Sequence, residues 1–400
     1  MSDSLRHPSF WESDASLPLT TPNTNPTPLP AACDFLIVGA GFAGRWLAWF
    51  LTKHFQRSIQ RGELRHAPSI CLLERDAFSY GASSRNAGFL TSGHLSEMLA
   101  DIRDHSMDAV RASFLQRVAG VELAHEELGD HADSLGIART GSIDWDEPSG
   151  EAHELAETLN VSLREREMPP LFSLRLVRSA KGEVRRYFNA QDGTIQPVRA
   201  MQALELGASE RGASFHFGVE VKQARDGLAR IKVSDQEREL RYEHAFICTN
   251  AFASQLDQSS NIQPGRGQVL LTEPLALPWN DALGYLNQGY DYFRSIKGRL
   301  LIGGGRHRFR ELESSDQLEP SDALRTYLHD LACELLARDS IQIEQHWAGI
   351  MGFPGGTHAV GVREKQLDAK TSLLAGFGGM GVALTPIAAK ELVARFTNAG

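Results

Sequence analysis

Apolar positions along the chain change period several times, and the changes mark out elements. Phe35-Leu36-Ile37-Val38 is a short continuous apolar run, as expected of a parallel strand buried on both faces. Glycines follow at once, then an apolar helical pattern from Arg45, and a second buried strand at Ser69-Ile70-Cys71-Leu72-Leu73. From Ser92 to about Leu135 apolar residues recur at helical spacing (Met98, Leu99, Ile102; Val110, Phe114, Val118, Val121), which predicts two amphipathic helices. Strands are expected at Thr140 to Trp145, Phe215 to Val221, Ala245 to Cys248, Val269 to Thr272, Tyr290 to Arg294, Leu300 to Gly303, His346 to Gly352 and Leu373 to Ala375. Helices are expected over Val198 to Arg211, Ser321 to Leu336 and Pro386 to Phe396. The first thirty-two residues show neither period. Their prolines (Pro8, Pro18, Pro22, Pro26, Pro28, Pro30) predict an extended leader without helix or strand, anchored at Phe10 and Trp11.

The glycines between the first strand and helix read Gly39-Ala40-Gly41-Phe42-Ala43-Gly44. In that context Gly39 permits a tight turn, Gly41 a close backbone approach to a pyrophosphate, and Gly44 close packing of helix on strand, with the helix N-terminus facing the phosphates. Glu74 closes the second strand where an acid would hold a ribose hydroxyl; its alternative is an ordinary solvated glutamate. It lies thirty residues past Gly44, against about twenty in the usual unit. A polar insert from His54 to Pro68 accounts for the excess.

Composition narrows the classes. A 42% hydrophobic content over 400 residues is ample for two lobes, and 41 basic against 50 acidic residues leaves a net charge of −9 with no basic patch, which argues against a nucleic-acid partner. Cys33, Cys71, Cys248 and Cys333 have neither metal-ligand spacing nor a disulfide framework, so they read as small apolar side chains in a reducing, cytoplasmic setting, with no metal expected. No apolar run reaches the roughly eighteen residues of an integral membrane segment, and the leader lacks the apolar core of a secretory signal.

After Glu74 the chain continues Arg75-Asp76-Ala77-Phe78-Ser79-Tyr80-Gly81-Ala82-Ser83-Ser84-Arg85-Asn86-Ala87-Gly88-Phe89. The set VGAGFAG, LLERD and GASSRNAGF resembles the D-amino-acid oxidase-like family of FAD-dependent amine and amino-acid oxidoreductases, and within it the γ-glutamylputrescine oxidase-like branch. The resemblance runs from about Asp34 to the C-terminus, with specific motifs at both ends. It implies an α/β fold: a Rossmann-type, DAO-like FAD-binding domain with a discontinuous α+β substrate-binding domain built on an antiparallel sheet. The segments expected are the leader (1–32), the FAD domain (33–100, 188–262 and 346–400) and the substrate domain (101–187 and 263–345). The FAD is expected to be non-covalent, because no cysteine or histidine occupies the GASSRN loop.

The same resemblance implies cofactor contacts. Gly39, Gly41, Phe42, Ala43, Gly44, Glu74 and Arg75 belong to the fingerprint, and Ser83, Ser84, Arg85, Asn86, Ala87 and Gly88 to the small-residue loop. Val221 is assigned backbone contacts to the adenine, with a core role as its alternative. Thr249, Asn250 and Gly349 fall near the phosphates and flavin, and Gly378, Gly379, Met380, Gly381 and Val382 form a second glycine turn and helix start that faces the flavin. The substrate site is expected around His94, Tyr292 and Met351, with Tyr290 and Arg294 nearby; a helix cap, sheet packing and a surface ion pair are the respective alternatives for the histidine, the tyrosines and the arginine.

Two departures from the family pattern bear on substrate. Where amino-acid-oxidising members carry an arginine after the W-x-G strand, this chain reads Gly349-Ile350-Met351-Gly352-Phe353. That favours an amine, such as a modified polyamine, with Arg266, Arg294 or Arg306 left as other carboxylate anchors. At Gly355 to Gly361 the usual Asp-Gly and Pro are missing. An amino-acid oxidase or dehydrogenase of the same fold, and a flavoprotein serving as an assembly or maturation factor, are the competing expectations. The electron acceptor is oxygen or a carrier.

Overall fold

The computed structural model describes residues 7–14, 28–279, 283–355 and 362–398. Most of the leader, including Pro18, Pro22 and Pro26, and the Gly356 to Gly361 departure lie outside the described residues. The chain divides into two compact units, each assembled from separate stretches of sequence.

The first unit comprises Trp11–Ser84, Pro197–Gly265 and Met351–Gly400. Its sheet runs in the order Arg363–Asp368, Thr371–Ala375, Gln236–Ile247, Ala32–Val38, Ile70–Glu74, Ala213–Phe217. The first pairing is antiparallel and the other four are parallel, with Val38 opposite both Ile247 and Leu73. Such strands are covered on both faces, which is why they read as unbroken apolar runs. Helix Phe42–Gln60 packs against helices Pro197–Glu210 and Gly381–Asn398. Strands Val219–Arg225 and Leu228–Val233 extend the first half of the long strand Gln236–Ile247 in antiparallel fashion. Leu36, Val38, Leu73, Val221, Ile231 and Ala245 share one core cluster there.

The second unit contains the residues up to Phe10, Arg85–Gln196 and Arg266–Ile350. Its sheet order is Ile343–Pro354, Ile262–Thr272, Arg299–Gly304, Asp291–Ile296, Leu283–Leu286, Ser142–Asp144, Gly182–Asn189, Phe172–Ser179. Hairpin pairings are antiparallel, whereas Leu283–Leu286 meets Ser142–Asp144 in parallel. Helix Asp322–Leu336, capped by the Ser321 hydroxyl, covers this sheet with Leu328, Ala332 and Leu336 in its core. Helices Leu95–Asp104, Met107–Leu128 and Gly150–Arg164 form a second apolar cluster around Met98, Phe114 and Leu159.

Three expectations are corrected. The leader holds a one-turn helix, Phe10–Asp14, because burying Phe10 and Trp11 outweighs the extended preference of its prolines. The polar insert after His54 is in its first half a continuation of helix Phe42–Gln60, whose exposed outer turns carry the polar residues. The strand expected over Phe215 to Val221 breaks at Gly218, which takes a left-handed φ of 73° and donates its amide to Asp76 O at 3.1 Å.

Candidate cofactor and active site

The fingerprint turn follows from backbone sterics. Gly39 sits at φ 103°, and a Cβ there would stand 2.9 Å from the Cys248 carbonyl oxygen. A Cβ on Gly44 would come within 2.0 Å of the Gly39 oxygen, so these two positions admit only glycine. Gly41 caps helix Phe42–Gln60 without a side-chain capping bond, and the Ser83 hydroxyl accepts from the Phe42 amide at 3.0 Å. The first turn, with Ala43, thus presents amides and the positive end of the helix dipole, a site suited to phosphate.

Glu74 closes its strand beside this turn. One carboxylate oxygen accepts from the Ala40 amide at 2.8 Å, the other from the Asp76 amide at 3.3 Å. Burial raises its pKa, and the two amides oppose that rise. The remaining lone pairs are available to ribose hydroxyls. Arg75 stacks its guanidinium over Phe252, 5.0 Å from the ring centroid. Ser84 is fully buried and donates to Ser79 O. Val221 places its side chain in the core and pairs its backbone with Ile231.

The second glycine turn is held by Asn250. Its side-chain oxygen accepts from the Gly376 amide at 2.9 Å and the Phe377 amide at 3.4 Å, and Gly378 N donates to Gly352 O at 2.9 Å. A Cβ on Gly352 would meet that Asn250 oxygen at 2.7 Å. Gly378 adopts φ 54°, and a Cβ on Gly379 would meet nothing within 4 Å, whereas Met380, Gly381 and Val382 open helix Gly381–Asn398. Among the described residues, the buried hydroxyls of Thr249 and Thr385 have no hydrogen-bond partner. Two glycine turns at helix starts, an acid at a strand end, open space over Gly379 and two unbonded hydroxyls fit an extended dinucleotide such as FAD. Met351, half-buried on strand Ile343–Pro354, also belongs to this unit.

In the other unit the GASSRN loop continues through Arg85, whose guanidinium is 1% exposed. It donates to the carbonyls of Ala348 and His7, and Trp347 Nε1 donates back to Arg85 O at 3.0 Å. The Arg85 side chain thus ties the leader to the strand carrying Gly349. Asn86 accepts the Gly88 amide at 2.8 Å, Ala87 is buried, and Gly88 takes φ 71°. The Gly88 carbonyl accepts from Arg294 at 2.7 Å and from the Ile195 amide at 3.0 Å. Arg294 is a buried brace for the loop, where a surface ion pair was its alternative.

His94 is the N-cap of helix Leu95–Asp104, and its Nδ1 accepts from the Glu97 amide at 3.2 Å. Its ring lies 4.1 Å from that of Tyr285, Tyr285 meets Phe89 at 5.6 Å, and Phe89 meets Tyr292 at 5.6 Å. His94 and Tyr292 are thereby joined through Phe89 and Tyr285, two residues that sequence patterns left unassigned. The Tyr292 ring lies over Gly303, where a Cβ would come within 2.5 Å of it. Burial, then Asp291, raises the Tyr292 phenol, which keeps it a donor at neutral pH.

A polar node behind these rings was also missed. Asp192, 0% exposed, accepts from Thr91 Oγ1 (2.6 Å), Ser92 N (2.7 Å), Ser92 Oγ (2.9 Å) and Ser142 Oγ (2.7 Å). In sequence it reads as the first residue of an Asp-Gly turn; the only hint was hydroxyls at Thr91, Ser92 and Ser142 in otherwise apolar stretches. Of the expected carboxylate anchors, Arg266 is committed: it pairs with the fully buried Glu313 through two nitrogens, at 2.8 and 2.9 Å. Among the described residues no cluster of His, Cys, Asp and Glu could hold a metal, and no helix is long and apolar enough to cross a membrane.

The sequence pattern of the family described as FAD dependent oxidoreductase (DAO) matches residues 34–395. No functionally curated protein matches the sequence. Among solved structures, glycine oxidase from Geobacillus kaustophilus is similar at 18% identity and a TM-score of 0.68, over 92% of this chain and 95% of that one. L-proline dehydrogenase from P. horikoshii is similar at 16% identity and a TM-score of 0.69, over 92% and 95%. Iminodiacetate oxidase from Chelativorans sp. BNC1 is similar at 16% identity and a TM-score of 0.66, over 91% and 95%.

Proposed function

Because the chain belongs to the DAO family of FAD-dependent oxidoreductases, we propose that it oxidises the C–N bond of an amine, giving an imine that hydrolyses to a carbonyl product, with a γ-glutamylputrescine-like compound as substrate. The names of the similar structures, glycine oxidase, L-proline dehydrogenase and iminodiacetate oxidase, support a substrate with nitrogen beside the reacting carbon. Bound FAD supplies the chemistry, accepting a hydride from that carbon.

The residues of this chain hold and shield. The Gly41 to Gly44 amides and Glu74 are placed for the pyrophosphate and ribose, and the start of helix Gly381–Asn398 can stabilise negative charge at a ring system lying before it. Phe89, Tyr285 and Tyr292 offer an aromatic surface on which a carbon chain can rest without water. Tyr292 keeps its proton and can donate one hydrogen bond. No residue needs to take a proton from carbon; the amine must only reach the site neutral.

The observation that carries the amine reading over an α-amino acid is the fate of the arginines. Gly349-Ile350-Met351-Gly352 has none, and of the three other arginines that could anchor a carboxylate, Arg266, Arg294 and Arg306, two are engaged elsewhere: Arg266 is locked to Glu313, and Arg294 is bound to the Gly88 carbonyl. The test is anaerobic: amines and α-amino acids are added in turn to the yellow protein while its visible bands are followed. Bleaching by γ-glutamylputrescine but not by α-amino acids is the expected result. Bleaching by α-amino acids alone would replace the reading, and no bleaching by any donor would favour a flavoprotein without turnover. Repeating the positive reaction in air and with an artificial carrier identifies the electron acceptor.

A further inference from the structure

The last strand of the second unit's sheet has one neighbour instead of two. Strands Phe172–Ser179 and Gly182–Asn189 pair antiparallel through the turn Ala180-Lys181, and Phe172–Ser179 closes the order of the sheet. The root of this hairpin is fastened to helix Gly150–Arg164. Asn160 Oδ1 accepts from the amides of Leu171 and Phe172 at 3.0 and 3.1 Å, and Asn160 Nδ2 donates to the Phe172 carbonyl at 2.9 Å.

Alternation along the strands sorts the side chains into two faces. On one, Val177, Val184 and Phe188 pack against the core of the sheet, Arg175 lies over the Phe188 ring at 3.7 Å, and Arg186 donates to the Trp145 carbonyl at 2.8 Å. On the other, Phe172 and Tyr187 are buried in the helical cluster, and the cover ends with them. Leu174 is 45% exposed and Leu176 61%, the most exposed large apolar side chain among the described residues. Leu176 stands opposite Arg185, and Arg178 opposite Glu183.

Charge on the hairpin runs against that of the whole chain. From Phe172 to Asn189, Arg175, Arg178, Lys181, Arg185 and Arg186 face one acid, Glu183, so five minus one leaves +4 in a protein of −9. The overall balance concealed this local basic patch. Arg178, Lys181 and Arg185 are exposed, and none has an ion-pair partner among the described residues. Glu157 on the adjoining helix, whose charge adds to burial in raising the Tyr187 phenol, has Arg164 3.9 Å away.

Cations on a sheet edge guard it against strand pairing, but exposed leucines on the same edge favour association, so guarding does not account for both. A second copy of the chain would set five cations against five. Protein interfaces are anchored above all by Trp, Tyr and Arg, and this face exposes neither Trp nor Tyr. Apolar tips among long-stemmed cations match a fluid anionic surface, which needs no fixed geometry. We propose that the hairpin Phe172–Asn189 docks on an anionic phospholipid bilayer, with Leu174 and Leu176 at the acyl boundary and Arg178, Lys181 and Arg185 on headgroup phosphates. The unpaired backbone edge of Phe172–Ser179 sets the depth: its amides and carbonyls need water or headgroups, so the hairpin rests at the interface and does not span.

The FAD-loaded protein is sedimented with vesicles of phosphatidylcholine and phosphatidylglycerol, and with vesicles of phosphatidylcholine alone. Binding is expected only to the first and should weaken as salt is raised. R178Q and R185Q should each weaken it roughly fivefold, and the double variant more than about tenfold. L176S should weaken it on the order of tenfold, whereas R61Q, at an exposed arginine of the other unit, should bind as wild type. All four native cysteines are buried, so Leu176→Cys can be labelled selectively with an environment-sensitive dye, whose emission should shift to the blue on anionic vesicles. No binding to anionic vesicles at low salt, equal binding by wild type, R178Q/R185Q and L176S, or dye emission unmoved at saturating vesicles each overturns the proposal. Binding to poly-L-glutamate but not to anionic vesicles overturns it too, and assigns the face to an acidic protein.

Discussion

Arg294 donates to the carbonyl of Gly88 across 2.7 Å, joining a central strand of the second unit's sheet to the end of the small-residue loop. Gly88 has a left-handed φ and so cannot be positioned by local preference alone. A buried guanidinium fixes it from outside. Replacing Arg294 with Met should cost on the order of 1.5–3 kcal/mol, the range for a lost hydrogen bond to a charged group. Thermal unfolding of R294M with and without added FAD checks this; an unchanged midpoint in both states would show that the bond carries no load.

The glycines divide into two kinds with opposite consequences. At Gly44 a Cβ would meet backbone at 2.0 Å, so Gly44→Ala should yield a protein that neither folds stably nor retains FAD. At Gly379 a Cβ meets nothing within 4 Å. Gly379→Ala should melt within about 0.5 kcal/mol of wild type as apoprotein yet bind FAD more weakly, read by fluorescence of released flavin. Equal FAD affinity in G379A would mean that the open space is not where the cofactor lies.

The leader is fastened by a residue of the small-residue loop. With Arg85 donating to His7 O, and Phe10 buried, Arg85→Gln should speed cleavage of the 7–14 segment under limited chymotrypsin digestion. A cleavage rate equal to wild type would assign the anchoring to Phe10 and Trp11 alone.

Two half-buried groups give opposite pH slopes. Asp101 is raised to about 6 by burial and Glu97, so the folded protein holds its proton more tightly than the unfolded chain, and its contribution to stability falls as pH rises from about 4 through 6. His346 is lowered to about 4 by burial and then Arg325, so the unfolded chain binds its proton first and stability falls as pH drops from 6.5 through 4. D101N should remove the first slope and His346→Gln the second, measured as denaturation midpoints between pH 4 and 7. Parallel profiles for wild type and variant would refute either assignment.

What the sequence made legible was local. The fingerprint glycines, Glu74 at its strand end and the terminal glycine turn each depend on a few consecutive residues whose backbone sterics leave little choice. What it hid was chemistry made by long-range pairing. Asp192 becomes a four-donor node only because Phe89–Leu90 pairs with Gly193–Thr194 and Ser142 arrives on another strand. Arg85 drew its expected cofactor role from its neighbours in the loop, and the sequence did not show that its long side chain reaches two distant carbonyls. Nothing in a run of residues reports where a flexible four-atom stem will point. His94 shows the reverse: a helix-cap role was readable from its place before Leu95, whereas its ring contact with Tyr285, almost two hundred residues away, was not.

Each unit is stitched from stretches far apart in the chain, and this sets the order in which the molecule can be made. Strand Gln236–Ile247 has an open parallel edge until Thr371–Ala375 arrives to cover it, and helix Phe42–Gln60 waits for Gly381–Asn398. A nascent chain leaving the ribosome therefore carries the whole fingerprint turn, with its apolar strands, more than three hundred residues before the last partner is synthesised. For that interval its solubility depends on chaperones or on speed, and loss of the final forty residues should leave an aggregating chain, not a smaller enzyme.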